Sequence, residues 1–370
     1  MKRHLNWLFV ILLLIIGFVV VWHYARYDYI YWAFDTSNLC DSWQEFNIYL
    51  RIIRHEPVPI LWSGWKDDAG VISSALTTTR LPAWIQMTTH WHPEFVFRYF
   101  AIPIVIWLPV VVYLIAKKFV PANLAFVLGI LFILQPNFRG APGYARIVIA
   151  ELFLSLSIYI LLSKPKPKVS IPILTVLAAA ITVTHYATAF ITVPFLFGWA
   201  GILMWRRRPT LEITSFLLCI LVFCVFWHQL VNYASGEYAQ ATIARAVPYL
   251  LDVSGTTNNA ISKGMGLLGT FTSLNIWIKL QTVIIWTVEI LSAAGLVINY
   301  KHQEILVAAV IPSLILISTG YWLPPVANGY GVGRIIFFAS PVLLPHATLA
   351  AIWCWSHVRN IQKELINGNS

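Results

Sequence analysis

The chain has 370 residues, of which 59% are hydrophobic and only 11% are Asp, Glu, Lys or Arg. This composition excludes an ordinary soluble globular protein, in which about a quarter of the residues are charged. The formal net charge is +10, but the basic residues are distributed between apolar runs instead of forming one patch, which argues against a nucleic-acid-binding protein. We therefore expect an all-α polytopic membrane protein whose single transmembrane domain covers residues 1–370.

The first apolar run, Leu5 to Val21, follows the basic residues of MKRH and resembles a signal sequence. No small-residue cleavage site follows it, and Trp22, Tyr24 and Tyr27 form an aromatic flank typical of a membrane interface. The sequence predicts that this run is retained as the first membrane-spanning helix.

A long acidic loop is predicted to follow this helix on the exterior face, over residues 23–94. It contains eight of the fifteen acidic residues and is too long to be a mere connection. Within it, the run DSWQEFNIYLRII carries apolar residues at the i, i+3, i+4 and i+7 spacing from Phe46. This spacing predicts an amphipathic helix lying on the membrane surface. A second helix is predicted to open near Pro82, because proline suits a first helical turn.

Three carboxylates near the start of the first surface helix are candidate catalytic residues. Asp41 opens the helix and Glu45 lies one turn later on the same side, so these two carboxylates can face one point above the bilayer. Asp35 lies six residues before Asp41. Asp41 followed three residues later by Gln44 also fits a capping box, which is a structural alternative. Carboxylate oxygens suit magnesium or manganese, so Asp41 and Asp35 are also candidate metal ligands.

Ten apolar runs have the character of membrane-spanning helices. Clusters of lysine and arginine occupy every second connection between them, as the positive-inside rule expects of cytoplasmic segments. Both termini are therefore predicted to be cytoplasmic, with a second exterior loop over residues 232–275. The stretch from Ile171 to Trp205 is too long for one span and has basic residues at both ends, which predicts a helix hairpin with His185 near its outer turn. The ten predicted spans are Leu5–Val21, Tyr99–Ala116, Ala122–Leu134, Ile147–Leu162, Ile171–Thr184, Tyr186–Trp205, Ile213–Val231, Trp277–Ile298, Ile305–Thr319 and Ile335–Trp355.

Several polar residues lie within these spans or at their outer ends. Arg146 and Arg334 begin spans on the exterior side, where an arginine fork can bind lipid phosphate or simply anchor the helix. Glu151 lies a little over one turn inside its span; a carboxylate in hydrocarbon costs roughly 2.5 to 3.5 kcal/mol on insertion scales, so it should face protein or water. The alternatives for Glu151 are substrate contact and a structural pair with a nearby Arg or His. His185 either binds a ligand or has a structural role as a hydrogen-bonded residue. Glu289 lies in the middle of a span, and an acid at that position favours a transporter function.

In this arrangement the sequence resembles the GT-C class of membrane glycosyltransferases, which use a lipid-linked sugar donor at the outer face. The shared features are a short inside N-terminus, one span, and an acidic exterior loop whose surface helix carries Asp41 and Glu45. Four short segments are also similar to motifs of an uncharacterised archaeal and bacterial multi-pass family linked to cell-surface glycans. These segments are RLPAWIQ (Arg80–Gln86), ARIVIAELF (Ala145–Phe153), THYATAF (Thr184–Phe190) and GVGRIIFFASP (Gly331–Pro341).

The resemblance implies a glycosyltransferase of the cell membrane, which moves a sugar from a polyprenyl phosphate to a glycan or protein acceptor at the exterior face. It implies that Asp41, or Asp35, is a catalytic base or metal ligand and that Glu45 orients it. The sequence departs from many such enzymes because no adjacent Asp-Glu pair follows its first span. The implied substrate-binding residues are Arg146, Arg334, His185, Glu151 and Arg80.

Two other functions fit the same sequence. A flippase or transporter for a lipid-linked glycan would use Glu151, Glu289 and His185 to line a path. A glycan polymerase or ligase would rely on arginine and histidine, and Asp41 would then only cap its helix. The expected partners are membrane lipids, a polyprenyl-phosphate sugar and a glycan or protein acceptor.

Overall fold

The structure is a computed structural model that describes residues 2–27, 41–56, 75–163, 165–231, 276–298, 304–322 and 332–367. Within these ranges all regular secondary structure is helical. Asp35 and the second predicted exterior loop lie outside the described residues. The predicted all-helical fold is confirmed for the described part of the chain.

Seven helical segments in the described ranges are long and apolar enough to cross a membrane. The chain therefore has the character of a multi-pass membrane protein in contact with lipid. Three shorter apolar helices, Ala122–Ile133, Val283–Ile298 and Glu304–Thr319, coincide with three further predicted spans. The seven longer segments are His4–Arg26, Pro93–Ala116, Ala145–Ser163, Pro167–Thr184, Tyr186–Trp205, Leu211–His228 and Arg334–Arg359.

The first half of the fold consists of one long helix, two cap helices and a series of shorter apolar helices. The predicted span from Tyr99 to Ala116 is not one continuous helix, because Pro103 and Pro109 each open a new helix at its second position. Proline has no backbone N–H and is best placed in a first turn. The helices are α1 (Lys2–Tyr27), α2 (Asp41–Ile53), α3 (Leu76–Thr89), α4 (Pro93–Tyr99), α5 (Ile102–Val105), α6 (Leu108–Ala116), α7 (Ala122–Ile133) and α8 (Pro136–Arg139).

The second half is built from longer apolar helices. The predicted hairpin is present, since one helix ends at Thr184 and the next begins at Tyr186, with His185 alone between them. The helices are α9 (Ala145–Ser163), α10 (Pro167–Thr184), α11 (Tyr186–Trp205), α12 (Leu211–Val225) with a π-helical turn (Phe226–Val231), α13 (Ile276–Ile298), α14 (Glu304–Trp322) and α15 (Val332–Asn367).

Helix α9 lies at the centre of the bundle, where it contacts α3, α5, α6, α10 and α11. In its apolar window 72% of the residues are buried, as in α15, against 17% for α1. Helix α1 is therefore peripheral, and large apolar side chains such as Trp7 and Ile15 are exposed on it. Helices α13, α14 and α15 form a second group, which reaches α11 through α14 and α6 and α7 through α15.

Helices α2 and α3 pack together as a cap over one end of the bundle. Helix α2 has the bounds of the amphipathic run and buries Phe46 and Tyr49 against Ala83 and Phe97. The Tyr49 hydroxyl also donates a hydrogen bond to the backbone carbonyl of Pro93 at 3.0 Å, which ties the cap to α4. Helix α3 in turn contacts α9 and α10.

The predicted start of the second cap helix at Pro82 is wrong. Helix α3 begins at Leu76, so Pro82 lies inside it. The Thr78 and Thr79 hydroxyls donate hydrogen bonds to the Ala75 carbonyl, at 3.5 and 2.9 Å, and so hold the first turn ahead of the proline. Buried Thr78, Thr79 and Ala83 lie along the same helix, and their packing favours helix on both sides of Pro82.

Candidate functional site

A buried ion pair joins the cap to the central helix. Arg146 lies in the first turn of α9, and its Nη1 is 3.2 Å from Oε1 of Glu45 on α2. Each side chain is about 95% buried, with exposures of 5% and 6%. Charges this far from water are tolerated only in pairs, because each charged group loses several kcal/mol of solvation. The structure therefore brings together two predicted site residues that are far apart in the sequence.

The second predicted phosphate contact, Arg334, lies beside the same end of α9. Its guanidinium carbon is 5.7 Å from the ring centroid of Tyr144, which immediately precedes α9. An arginine over an aromatic face is attracted by the negative ring face and keeps the edge of its fork for other contacts. The starts of α9 and α15 are thus adjacent, each with an arginine.

His185 lies between α10 and α11 with an extended backbone, φ −152° and ψ 108°, and caps α11. Its Nδ1 accepts a hydrogen bond from the backbone N–H of Thr188 at 3.2 Å and lies 2.7 Å from the Thr188 hydroxyl oxygen. A backbone N–H can only donate, so Nδ1 is the acceptor and the neutral ring carries its proton on Nε2. The hydrogen-bonded structural role that the sequence left open is therefore present.

The surroundings of His185 connect it to both arginines. Burial lowers the pKa of this histidine well below its usual value, and the positive charges of Arg146 and Arg334 and the nearby His228 lower it further. Charges shift the pKa of a group in this way when they lie near it. His185 therefore belongs to the same cluster as the two arginines and is held neutral there.

His228 is a member of this cluster that the sequence analysis missed. It is fully buried in the π-helical turn, and its ring centroid lies 5.1 Å from that of Phe190 and 6.5 Å from that of Tyr186. π-Helical turns occur disproportionately at functional sites. The sequence feature that could have identified His228 is its location near the predicted outer end of an apolar run, which is also the kind of location that drew attention to His185.

Glu151 lies deeper in α9 and is buried, with an exposure of 2%. The Ser155 hydroxyl donates a hydrogen bond to its Oε1 at 3.5 Å. None of the ion pairs between described residues includes Glu151. The structural pairing with arginine or histidine that the sequence suggested is therefore not seen in this part of the chain.

Three predicted site residues remain, and the structure describes the side chain of only one of them, Arg80. Arg80 is half-buried on the cap helix α3, and burial lowers the pKa of its guanidinium. Asp41 is the first residue of α2, one turn before Glu45, but its side chain lies outside the described part of the structure, as does all of Asp35. Where side chains are described, no three His, Cys, Asp or Glu residues form a metal-binding group.

Glu289 lies elsewhere, in a cleft between α7, α13 and α15. The cleft is mostly apolar, with Gln135 and Ser340 as further polar lining residues. The Gln135 side-chain amide donates a hydrogen bond to the Ser340 hydroxyl at 2.9 Å. None of the cluster residues Glu45, Arg146 and His185 lines this cleft.

The cluster at the start of α9 therefore combines two guanidinium groups, a carboxylate and two imidazoles, beneath a helical cap. The planar fork of an arginine suits the oxygens of phosphate groups. The sequence matches no known family model, and a search of curated proteins finds no significant relative.

Proposed function

We propose that this protein is a GT-C-like membrane glycosyltransferase, which moves a sugar from a polyprenyl phosphate to an acceptor hydroxyl or amide at the exterior membrane face. The observation that carries the proposal is the contact between Glu45 and Arg146. Through this contact, the helix that opens with Asp41 lies over the helix ends that carry Arg146 and Arg334. An acid for proton transfer and cations for phosphate thus belong to one end of the bundle.

In the proposed reaction, the acceptor oxygen or nitrogen attacks the anomeric carbon of the sugar. Asp41 takes the acceptor proton as general base while the bond between the anomeric carbon and the phosphate oxygen breaks. Arg146 and Arg334 stabilise the negative charge that develops on the departing phosphate, which is the kind of electrostatic contribution that usually matters most. Mg²⁺ or Mn²⁺ held by Asp41 and Asp35 would add positive charge at the same point.

Glu45 has a positioning role in this proposal. Its carboxylate is bound to Arg146 in a buried pair, so it fixes the direction of the guanidinium group and the distance of α2 from α9. His185 holds the α10–α11 corner through Thr188 and adds a neutral imidazole to the wall of the site. Glu151 lies deeper in α9 and Arg80 lies on the cap helix α3.

The proposal includes ten membrane crossings with both termini in the cytoplasm. The seven long apolar helices and the three shorter ones coincide with the ten predicted spans. Basic residues then occupy the inner connections and the Arg146 end of α9 faces the exterior. A lipid-linked sugar could enter this site from the outer leaflet of the cell membrane.

The test compares two acids in the reconstituted protein. With polyprenyl-phosphate hexoses as donors and a membrane glycan extract as acceptor, Asp41→Asn is expected to lower transfer of labelled sugar by about 10² to 10⁴, the usual contribution of a general base. Binding of polyprenyl phosphate, measured by native mass spectrometry, should stay within about twofold, because binding depends mainly on the arginines. Glu289→Gln is the control and should retain transfer.

A transporter of a lipid-linked glycan is the second candidate, and the intramembrane position of Glu289 in its cleft favours it. Acids at this depth often mark ion paths. In that case Glu289→Gln would stop the movement of a fluorescent polyprenyl-phosphate glycan across vesicles while Asp41→Asn would not. That result, together with unchanged sugar transfer in Asp41→Asn, would reject the enzyme proposal.

A further inference from the structure

A second cavity lies at the opposite end of the bundle from the arginine cluster. It has a volume of about 720 Å³, which falls within the usual size range of small-ligand sites. The ends of α6, α9 and α11 and the starts of α10, α12 and α14 form its walls. Leu161, in the last turn of α9, lines it, and a helix rise of about 1.5 Å per residue puts it on the order of 22 Å from Arg146. This cavity is therefore separate from the proposed glycosyl-transfer site.

The cavity contains two positive and two negative side chains, Lys118, Arg208, Glu212 and Glu304. Arg208 and Glu304 form an ion pair with each other, which joins the α11–α12 connection to the start of α14. No ion pair between described residues involves the other two. A bound molecule would therefore meet one ammonium group and one carboxylate that have no ionic partner in the described structure.

These two groups are held by their own elements. The Lys118 ammonium lies 4.6 Å from the ring centroid of Tyr159, and burial lowers its pKa. Glu212 lies in the first turn of α12, where the helix dipole favours a negative charge. Lys118 and Glu212 therefore lie on different walls of one cavity.

The remaining walls are apolar and the surroundings have the character of a membrane interface. Ile160, Leu203 and Ile213 line the cavity. Trp205, at the end of α11, is 79% exposed, and Met204 and Leu211 nearby are also exposed. Exposed tryptophan at a helix end is typical of the headgroup level of a bilayer. The cavity therefore lies where lipid headgroups lie, and its apolar walls can accept the first part of an acyl chain.

We propose that this cavity binds a zwitterionic phospholipid headgroup with a primary ammonium group. The phosphate would contact Lys118 and the ammonium would contact Glu212. A primary ammonium donates hydrogen bonds to a carboxylate, whereas a trimethylammonium cannot, so phosphoethanolamine is preferred over phosphocholine. A purely anionic headgroup would place its charge against Glu212 and bind less well.

The test uses native mass spectrometry of the full-length protein released from nanodiscs. The nanodiscs contain equal amounts of phosphatidylethanolamine, phosphatidylcholine and phosphatidylglycerol with distinguishable chain masses. We expect phosphatidylethanolamine to be the retained lipid. Lys118→Gln and Glu212→Gln should each reduce its retention by about tenfold, as expected for the loss of one charged hydrogen bond.

Matched controls lie outside the cavity. Lys168→Gln removes an exposed ammonium near the same membrane level, and Glu94→Gln removes a first-turn carboxylate from α4, just as Glu212→Gln does from α12. Both control variants should retain phosphatidylethanolamine fully. Size-exclusion elution and melting temperature check that the two cavity variants are folded. If both variants still bind polyprenyl phosphate as the wild type does, the reduced retention of phosphatidylethanolamine is specific to the cavity.

Three results would overturn the proposal. The first is equal retention of all three lipids by the wild type. The second is preferential retention of phosphatidylglycerol that Lys118→Gln abolishes and Glu212→Gln leaves intact or increases, which would mark a simple anion site. The third is retention of phosphatidylethanolamine that neither cavity variant changes.

Discussion

Glu45 is one of the residues that connect the cap to the bundle, and its energetic contribution depends on its partner. Glu45 and Arg146 are both buried, and removing one partner of such a pair leaves an isolated charge away from water. Arg51 and Glu56 form another ion pair at the end of the same surface helix, at 3.3 Å, but their side chains are 32% and 42% exposed. Water screens the second pair and not the first.

We therefore expect Glu45→Gln and Arg146→Gln each to lower the free energy of unfolding by about 3 to 5 kcal/mol. The double variant should lose less than the sum of the two, because no unpaired charge is left. Arg51→Gln is the control and should cost about 0 to 1 kcal/mol. Denaturant unfolding in mixed micelles measures all four variants. Additive losses in the double variant would show that the buried pair is not coupled.

His185 gives the cluster a dependence on pH. Its pKa is held well below the usual value in the folded protein, whereas in the unfolded chain the imidazole titrates near about 6.5. Below that pH the unfolded chain binds a proton that the folded chain does not, so stability is lost as the pH falls.

We expect the melting temperature of the wild type to fall between about pH 7 and pH 5, and His185→Asn to reduce this fall. Asparagine at a helix N-cap can accept the Thr188 N–H in place of Nδ1, so the variant removes the titration and keeps the cap. Differential scanning fluorimetry at a series of pH values is the measurement. Parallel curves for the two proteins would exclude His185 as a source of the pH dependence.

At the scale of elements, the contact between α13 and α15 depends on a glycine. Among the described glycines, Gly295 leaves the least room for an added Cβ. A Cβ at Gly295 would lie 2.7 Å from Cε1 of the buried His346 and 3.1 Å from Cβ of Ala350. The absence of a side chain at this position lets the two helices approach closely. Gly201 on α11 provides a contrast, since an added Cβ there meets nothing within 4 Å.

Gly295→Ala is therefore expected to destabilise the protein by about 1 to 3 kcal/mol through overpacking. Gly201→Ala should leave stability unchanged or raise it slightly, because alanine is the better helix former. Thermal unfolding in detergent compares the two variants with the wild type. Equal melting temperatures for both variants would mean that the α13–α15 contact relaxes without cost.

The elements that the sequence predicted well are those in which one physical signal dominates. The i, i+3, i+4, i+7 spacing defined α2, and the two basic ends of the Ile171–Trp205 stretch required the break at His185. Pro82 misled the prediction because its preference for a first turn is weaker than the packing of the residues around it. The π-helical turn with His228 has no local pattern that distinguishes it from an ordinary helix end.

At the scale of the whole molecule, the sequence indicated which ends of which helices would meet but not by what contacts. Charge distribution grouped Glu45, Arg146, His185 and Arg334 on one face, and the structure brings these four residues to one end of the bundle. The ion pair itself depends on how α2 and α3 pack over α9, which is a long-range property that no local pattern contains. The charged cavity at the other end has the same origin, because the ends of six helices contribute to it.

The proposed topology predicts the labelling of single cysteines in a chain whose native cysteines are replaced by serine. A membrane-impermeant maleimide should label Glu56→Cys in intact cells and Lys168→Cys only after permeabilisation, because the two positions flank opposite ends of the bundle. Arg359→Cys should behave like Lys168→Cys. Labelling of all three positions from one side would contradict the alternation of the spans.

The pairing of Glu45 with Arg146 also has a consequence for biogenesis. The two residues are 101 positions apart in the chain, so in the proposed topology the acidic segment is exported well before its basic partner is synthesised. At about 5 to 20 residues per second, the segment waits roughly 5 to 20 seconds before the cap can close. During that interval Glu45 lacks its Arg146 partner, whereas Phe46 and Tyr49 can already pack against Ala83 and Phe97, which are synthesised before Arg146.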